Sequence, residues 1–388
     1  MQRGPTGSYV RVSSAANEEA WAFIPSALPP QPSPDLKGAR GRLHDQALLA
    51  CGRLDAITAL LPEPELFLYA YVRREAVVSS QIEGTQSSLS DLLLFELEQE
   101  PGVPFSDVVE VSNYIAALEH GLQRLATGSP LSNRLIREMH EQLLARGRGA
   151  DKQPGEFRRI QNWVGGTRPG NALFVPPPPQ RVGEQMAALE RFIHETELPF
   201  SALIKAALAH AQFETIHPFL DGNGRIGRLL IALILHQEGI LHQPLLYLSL
   251  YFKQHRDEYY RLLDVTRRDG DWEAWLDFFL EGVLTTANGA VETAHRLLGV
   301  FREDQQRVEG LGRAAANTLR VHHALGTRPL ASINDLAQRS GVAYPTAARA
   351  VEALERLGIL REVTGRRRDR VFAYERYIQI LNEGADPL

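Results

Sequence analysis

From Leu36 onward, apolar side chains recur every three or four positions, the spacing that gathers one face of an α-helix against a core. Leu48, Leu49, Leu54, Ile57 and Leu61 make the first such stripe, with Arg, Asp and Gln between them, and Pro62 and Pro64 predict its end. The same period predicts helices from Leu66 to about Ile82 and from Leu89 to Glu98, and two more between Val108 and Leu144. Gly128-Ser129-Pro130 separates that last pair, and Ser132 or Asn133 is placed to cap its second member. Further helices are predicted from Arg181 to Glu195, Phe200 to Thr215, Gly224 to Gln237, His255 to Asp269 and Trp272 to Arg302.

Two stretches depart from this rhythm. Through Pro34 the chain is rich in Ser, Ala and Pro, which predicts an extended arm. Between Gly147 and Gln180 the glycines Gly155, Gly165, Gly166 and Gly170 and the run Pro176 to Pro179 flank Trp163, Val164, Leu173, Phe174 and Val175, the composition of a short β-hairpin and loop. After about Arg307 the pattern changes again. Ala314 to Leu325, Ile333 to Ser340 and Thr346 to Leu357 are three short helical patterns, followed by Ile359 to Val363, an Arg-rich tip and Val371 to Tyr374. Three helices and a two-stranded hairpin outline a winged helix-turn-helix. The expected fold class is therefore mainly α, divided into an N-terminal helical region (1–105), a central domain (106–300) and a C-terminal winged helix (308–388).

Composition narrows the function classes. With 42 Lys and Arg against 47 Asp and Glu, a net charge of −5 does not hold the chain to nucleic acid or anionic lipid in bulk, so any such contact must be local. A single Cys51 excludes an internal disulfide and a cysteine-built zinc site and fits a reducing compartment. The first residues lack the apolar stretch of a secretory signal, and the longest apolar run, Leu229 to Leu235, is too short to cross a bilayer. The expectation is a cytoplasmic protein with no membrane partner.

Residues 217 to 228 read HPFLDGNGRIGR and carry the chemistry. The turn Asp221-Gly222-Asn223-Gly224 opens a helix, where free N–H groups and the positive dipole end favour an anion and glycines let it come close. Arg225 and Arg228, three apart, lie on one helix face and can clamp further phosphate oxygens. Asp221 is a hard oxygen ligand suited to Mg²⁺. His217, with an ordinary pKa of about 6.5, suits a base that takes a proton from a hydroxyl near neutral pH. The eight fixed positions of H-x-F-x-D-G-N-G-R-x-x-R meet by chance in such a chain with odds of about 10⁻⁸.

This segment resembles the active-site motif of the Fic (filamentation induced by cAMP) family, matched at every fixed position. The resemblance implies a helical Fic core with a β-hairpin flap and, as the common activity, adenylylation: AMP moves from ATP to a Ser, Thr or Tyr hydroxyl of a protein, and pyrophosphate leaves. It implies His217 as general base and Asp221 as Mg²⁺ ligand. Gly222, Asn223, Gly224, Arg225, Ile226, Gly227 and Arg228 would bind the nucleotide, with Arg228 at the γ-phosphate and Phe219 as a buried anchor. Doc-type kinases carry Lys where this chain has Gly224, so the chain does not resemble them.

Ser79-Ser80-Gln81-Ile82-Glu83-Gly84 resembles the family's inhibitory [S/T]-x-x-x-E-G motif, which marks Ser79, Glu83 and Gly84 and implies that Glu83 pairs with Arg228 in place of the γ-phosphate. A helix ending at Glu83 with Gly84 as its C-cap explains the same residues. Gly155-Glu156-Phe157-Arg158 and the hairpin after it resemble the flap that aligns the target side chain, with Phe174 and Val175 on its edge. Tyr259 and Tyr260 stand where related proteins contact base and ribose, although two aromatics on a helix are also ordinary core.

The C-terminal piece offers Tyr344, Arg349 and the tip Arg366, Arg367, Arg368 and Arg370, yet from Gly341 onward eight Arg face seven acidic residues. That balance suits a DNA contact or a protein docking module equally. The expectation is an ATP- and Mg²⁺-dependent protein adenylyltransferase, autoinhibited by Glu83, acting on protein hydroxyls including its own, with a homodimer open. Its rivals are a de-AMPylase or bifunctional enzyme that uses Glu83, and a nucleotide-sensing transcription regulator.

Overall fold

Within the N-terminal arm two segments alternate inward and outward residues, and they pair with each other. β1 (Gly7–Ser13) and β2 (Glu19–Pro25) run antiparallel, with Tyr9 opposite Phe23 and Val10 opposite Ala22. Ala20 and Ala22 are buried with Val175, and Val10, Val12 and Ala172 pack beside them. The arm thus folds into a two-stranded sheet of its own rather than a lone extended segment, a pairing that the pattern misses because its alternation is short and lies among prolines whose signal dominates the composition. The computed structural model describes residues 3–13, 19–60, 64–97 and 102–385. Leu61 and Pro62, which the pattern used to end the first helix, and Glu98 lie outside the described residues.

The helices follow the predicted periods except for the short helix Ser249–Gln254, which the pattern does not predict. They are α1 (Gly38–Leu60), α2 (Pro64–Ile82), α3 (Leu89–Glu96), α4 (Phe105–Ala126), α5 (Asn133–Leu143), α6 (Pro179–His194), α7 (Ala202–Ile216), α8 (Asn223–Gln237), α9 (Ser249–Gln254), α10 (Arg256–Asp269) and α11 (Trp272–Glu309). Ser132, not Asn133, caps α5, its hydroxyl accepting from the Leu135 N–H. Ser88 and Asp91 form a reciprocal capping box at the start of α3. α11 runs past the expected stop at Arg302 to a length of 38 residues, since nothing between Arg302 and Glu309 is a Gly or Pro.

Contacts group the chain into two units, residues 1–55 with 112–287 and residues 56–111 with 288–388. In the first, α7 and α8 lie at the centre, and nearly every residue of both is buried. Helices apolar on all sides belong inside a bundle. An added Cβ at Gly227 would lie 2.4 Å from Glu214 Oε1 and 3.3 Å from the His210 ring, so the glycine lets α8 pass close to α7. Trp275 of α11 is fully buried and donates its indole N–H to Ala207 O at 2.9 Å.

The second unit contains the winged helix: α12 (Ala315–Thr327), β3 (Leu330–Ser332), α13 (Ile333–Ser340), α14 (Tyr344–Arg356), β4 (Arg361–Glu362), β5 (Val371–Ala373) and α15 (Glu375–Asn382). The wing sheet has three strands in the order β3-β5-β4, one more than the pattern predicts, because Leu330 pairs opposite Ala373 across a long sequence gap. The unpredicted α15 and the residues after it reach α2. Arg74 donates to Glu383 O at 2.8 Å, and the Gln81 amide donates to Ala385 O at 3.1 Å and Ser87 O at 2.9 Å. Asp304, fully buried on α11, accepts from the Tyr374 hydroxyl at 2.8 Å and from Arg307 at 2.7 Å.

Candidate active site

α7 ends at His217, which takes the left-handed conformation with φ 49° and ψ 61° while its N–H still bonds to Phe213 O at 2.9 Å. A non-glycine residue there is strained and persists only where its surroundings over-determine it. The cap turns the chain so that residues 217–222 form a tight loop before α8. Gly222 reverses it again with φ 76°, a left-handed conformation that any Cβ would penalise. The first N–H groups of α8 lack intrahelical acceptors by geometry, so one short loop joins an imidazole able to take a proton to a helix start able to receive an anion.

Buried polar side chains fix that loop. Asn223 Oδ1 accepts from the Phe219 N–H at 2.8 Å, and its Nδ2 donates to Phe219 O at 2.9 Å. Phe219 is fully buried, as an anchor should be, and stacks on the His140 ring with centroids 3.7 Å apart and planes 6° from parallel. The Gly155 N–H donates to His140 Nδ1 at 2.9 Å, which leaves the proton on Nε2 to donate to Asp221 O at 3.0 Å. Burial pulls the His140 pKa down to about 4, so the ring is neutral at physiological pH. Asp221 Oδ1 accepts from the Gly222 N–H at 2.6 Å and from Arg225 at 3.3 Å, while the carboxylate remains about 33% exposed. A single part-exposed carboxylate beside a phosphate cradle is the donor set that suits Mg²⁺, which completes its shell with phosphate and water.

Arg225 is fully buried with its guanidinium on Asp221, and Arg228 is buried on the same helix. Tyr259 is also buried. Its hydroxyl lies 2.9 Å from His210 Nε2, and its ring stacks on Phe252 with centroids 4.6 Å apart, among α7, α9 and α11 aromatics. Tyr260 is half-exposed beside it. His210 Nδ1 is 2.9 Å from Gly227 O, and complete burial lowers its pKa to about 3. The hairpin is reduced to one bridge, Val164 with Phe174, around a 3₁₀ turn at Pro169–Asn171. Arg267 covers the Phe174 ring at 3.9 Å, and Val175 O accepts from the Phe23 N–H of β2 at 2.9 Å. In the other unit, Ser79 is buried in the last turn of α2, and Glu83 and Gly84 form the turn that follows, with the Glu83 N–H on Ser80 O at 3.0 Å and Gly84 at φ 99°.

Sequence reasoning gave no role to His140 or Asn162 and took Arg158 only as part of the flap-like segment, yet all three bond to the backbone of this loop or its neighbours. A lone His in a helical stripe carries no signal that would have found it.

Comparison with known proteins accords with this geometry. Residues 42–123 match the Fic/DOC family N-terminal model, residues 130–235 the Fic/DOC family model, and residues 314–364 the IclR helix-turn-helix domain. The chain is similar to a protein named Protein adenylyltransferase Fic from Culex quinquefasciatus, 31% identical over 200 residues, which are 49% of this chain and 36% of the relative. A protein of the same name from Drosophila yakuba is 35% identical over 147 residues, 38% of this chain and 26% of the relative. The match therefore spans well under half the length of these curated relatives. A Fic family protein from Desulfovibrio desulfuricans G20 has a similar fold, with a TM-score of 0.58 and 23% identity over 89% of this chain and 98% of its own. A Fic domain containing signaling protein from Bacteroides thetaiotaomicron superposes with a TM-score of 0.53 and 20% identity over 65% of this chain and 97% of its own. At these identities the structures speak to the fold alone. No helix among the described residues is long and apolar enough to cross a membrane.

Proposed function

Given that the chain carries both the N-terminal and the Fic domain of the Fic/DOC family, we propose that it is a protein adenylyltransferase moving AMP from ATP to a Ser, Thr or Tyr hydroxyl of a protein, its own included. The observation that carries this reading is the join of His217, in a strained left-handed cap, to the glycine-rich start of α8 through residues 217–222. His217 takes the proton of the hydroxyl, the freed oxygen attacks the α-phosphorus, and the bond to the bridging oxygen breaks as pyrophosphate leaves. The backbone of Gly222, Asn223 and Gly224 cradles the phosphates and Arg228 meets the outer one, whereas the Ile226 N–H is taken by Gly222 O at 3.0 Å, so Ile226 and Gly227, expected among the nucleotide-binding residues, sit inside the helical ladder and donate nothing to the cradle. Asp221 would hold Mg²⁺, which when bound neutralises phosphate charge. Arg225 steadies that carboxylate and adds positive charge to the cradle.

Phe174 and Val175 are proposed to align the target segment, and Tyr260, the more open of the two tyrosines, to meet the nucleoside, with Tyr259 behind it as support. Ser79, Glu83 and Gly84 are proposed as an inhibitory segment whose carboxylate competes with the γ-phosphate for Arg228. Any contact of the winged helix with DNA is assigned to Tyr344 and the exposed wing-tip residues Arg366, Arg367 and Arg368.

The test incubates the purified chain with MgCl₂ and ATP labelled at either the α- or the γ-phosphate. Covalent label from the α-phosphate alone supports the reading. Label from the γ-phosphate would make the protein a kinase. No label, with AMP stripped from an already modified protein, would make it a de-AMPylase.

A further inference from the structure

The proline run Pro176 to Pro179 offers carbonyls but no N–H groups, so the segment between Val175 and the start of α6 cannot be held by a strand ladder. Its acceptors are met instead by side chains of residues 158–162. The Arg158 guanidinium donates from Nη2 to Pro177 O at 2.6 Å and from Nε to His217 O at 2.9 Å. Longer bonds of 3.4 Å reach Ile160 O and Ile216 O, and the Arg158 N–H bonds to Pro218 O at 2.9 Å. Beside it, Gln161 donates to Pro176 O at 2.9 Å and Asn162 to Phe219 O at 3.0 Å. One short segment is thus pinned on one side to the loop that carries the base and on the other to the end of the flap.

Arg158 is 2% exposed, and every partner of its guanidinium among the described residues is a carbonyl oxygen. Burial lowers its pKa to about 10, which still leaves it charged at neutral pH. A buried cation is retained at a cost unless its donors are well used, and only a planar fork with five N–H groups can span carbonyls on both sides. We propose that Arg158 is a positioning residue that sets the distance between the His217 cap and the flap, and thereby the alignment of a target hydroxyl with the base. The inference rests on the adenylyltransferase reading for its catalytic consequence and on the hydrogen bonds alone for its structural part.

Lys at this position keeps the charge but cannot bridge both segments. Arg158→Lys in the full chain is expected to bind ATP with an affinity within threefold of wild type, by calorimetry with ATP and MgCl₂, while the single-turnover rate of label transfer falls by tenfold or more. A misplacement of about 1 Å can cost roughly a hundredfold in rate. Hydrogen exchange supplies a readout independent of activity: the His217 and Phe174 amides should lose protection in the variant while the core of α8 keeps its own. Asn162→Ala, which removes only the bond to Phe219, should show the same split with a few-fold loss, and it serves if Arg158→Lys does not fold. A variant with unaltered transfer and exchange, or one whose ATP affinity falls in step with its rate, overturns the proposal. If the wild-type chain moves no label at all, the adenylyltransferase reading fails, and the exchange measurement still decides whether Arg158 holds the two segments.

Discussion

Asn223 and Phe219 are bound to each other twice, with the side-chain amide accepting from one backbone group at 2.8 Å and donating to the other at 2.9 Å. Both residues are buried, so the pair closes the active-site loop where water cannot substitute for either bond. Asn223→Ala strands the buried Phe219 N–H, at a cost of about 1–3 kcal/mol for an unsatisfied group, while Phe219 O keeps its bond from Asn162 at 3.0 Å. The expected result is a lower denaturant midpoint and at least a tenfold slower transfer of label. A variant as stable and active as wild type would show that the loop is held by other means.

Stability is expected to depend on three imidazoles. Burial lowers His140 and His322 to about 4 and His210 to about 3, against 6.5 for a free side chain. The unfolded chain therefore takes up protons that the folded chain refuses as pH drops below about 6.5. The stability contributed by these groups is fully present above that pH and declines toward pH 4 and 3. The slope approaches roughly 1.4 kcal/mol per pH unit for each histidine. Urea midpoints at pH 7.5, 6 and 5 test this above the range where carboxylates titrate, and a midpoint that does not move would contradict it.

His217→Ala is expected to abolish transfer while ATP still binds. On the proposed mechanism the base acts on the hydroxyl, while the phosphates would be met by the start of α8 and by Arg225 and Arg228, both buried on that helix. Loss of a positioned base typically costs about 10² to 10⁴ in rate. Transfer within a few-fold of wild type would remove His217 from the mechanism.

If Glu83 is the inhibitory carboxylate proposed above, Glu83→Gly is expected to raise self-labelling by one to several orders of magnitude, because a carboxylate and a γ-phosphate would compete for Arg228 with strong repulsion. The double variant Glu83→Gly, His217→Ala should be silent. If Glu83→Gly adds no label, and wild type strips AMP where the variant does not, Glu83 acts as a residue of the reverse reaction.

The tail of the chain bears on the same segment. Deleting residues 383–388 removes Glu383 O, which accepts from Arg74, and Ala385 O, one of the two acceptors of the Gln81 amide. If α2 presents the inhibitory residues, its loosening should raise self-labelling in the direction of Glu83→Gly and by a smaller factor. Unchanged labelling, with α2 shown intact by hydrogen exchange, would separate the tail from regulation.

Much of this protein is legible along the chain because the relevant signals are local. A stripe such as Leu48, Leu49, Leu54 and Ile57 reports burial through the helical period alone, and the motif from His217 to Arg228 concentrates its chemistry in one cap, one turn and the first turns of one helix. The winged helix is readable for the same reason, its short helices and basic tip following in order.

Tertiary structure alone decided the rest. The pairing of β1 with β2, the bond from Phe23 to Val175, the docking of α2 against Glu383 and Ala385, and the reach of Arg158 to His217 and Pro177 all end on backbone carbonyls or amides. Every residue carries those groups, so no residue type marks the partner. Tyr259 shows the same limit from the other side: its aromatic spacing is visible, but whether its hydroxyl turns to a ligand or to His210 depends on which helix packs behind it. A sequence names the groups able to do the chemistry, and the packing of segments far apart in the chain sets where those groups point.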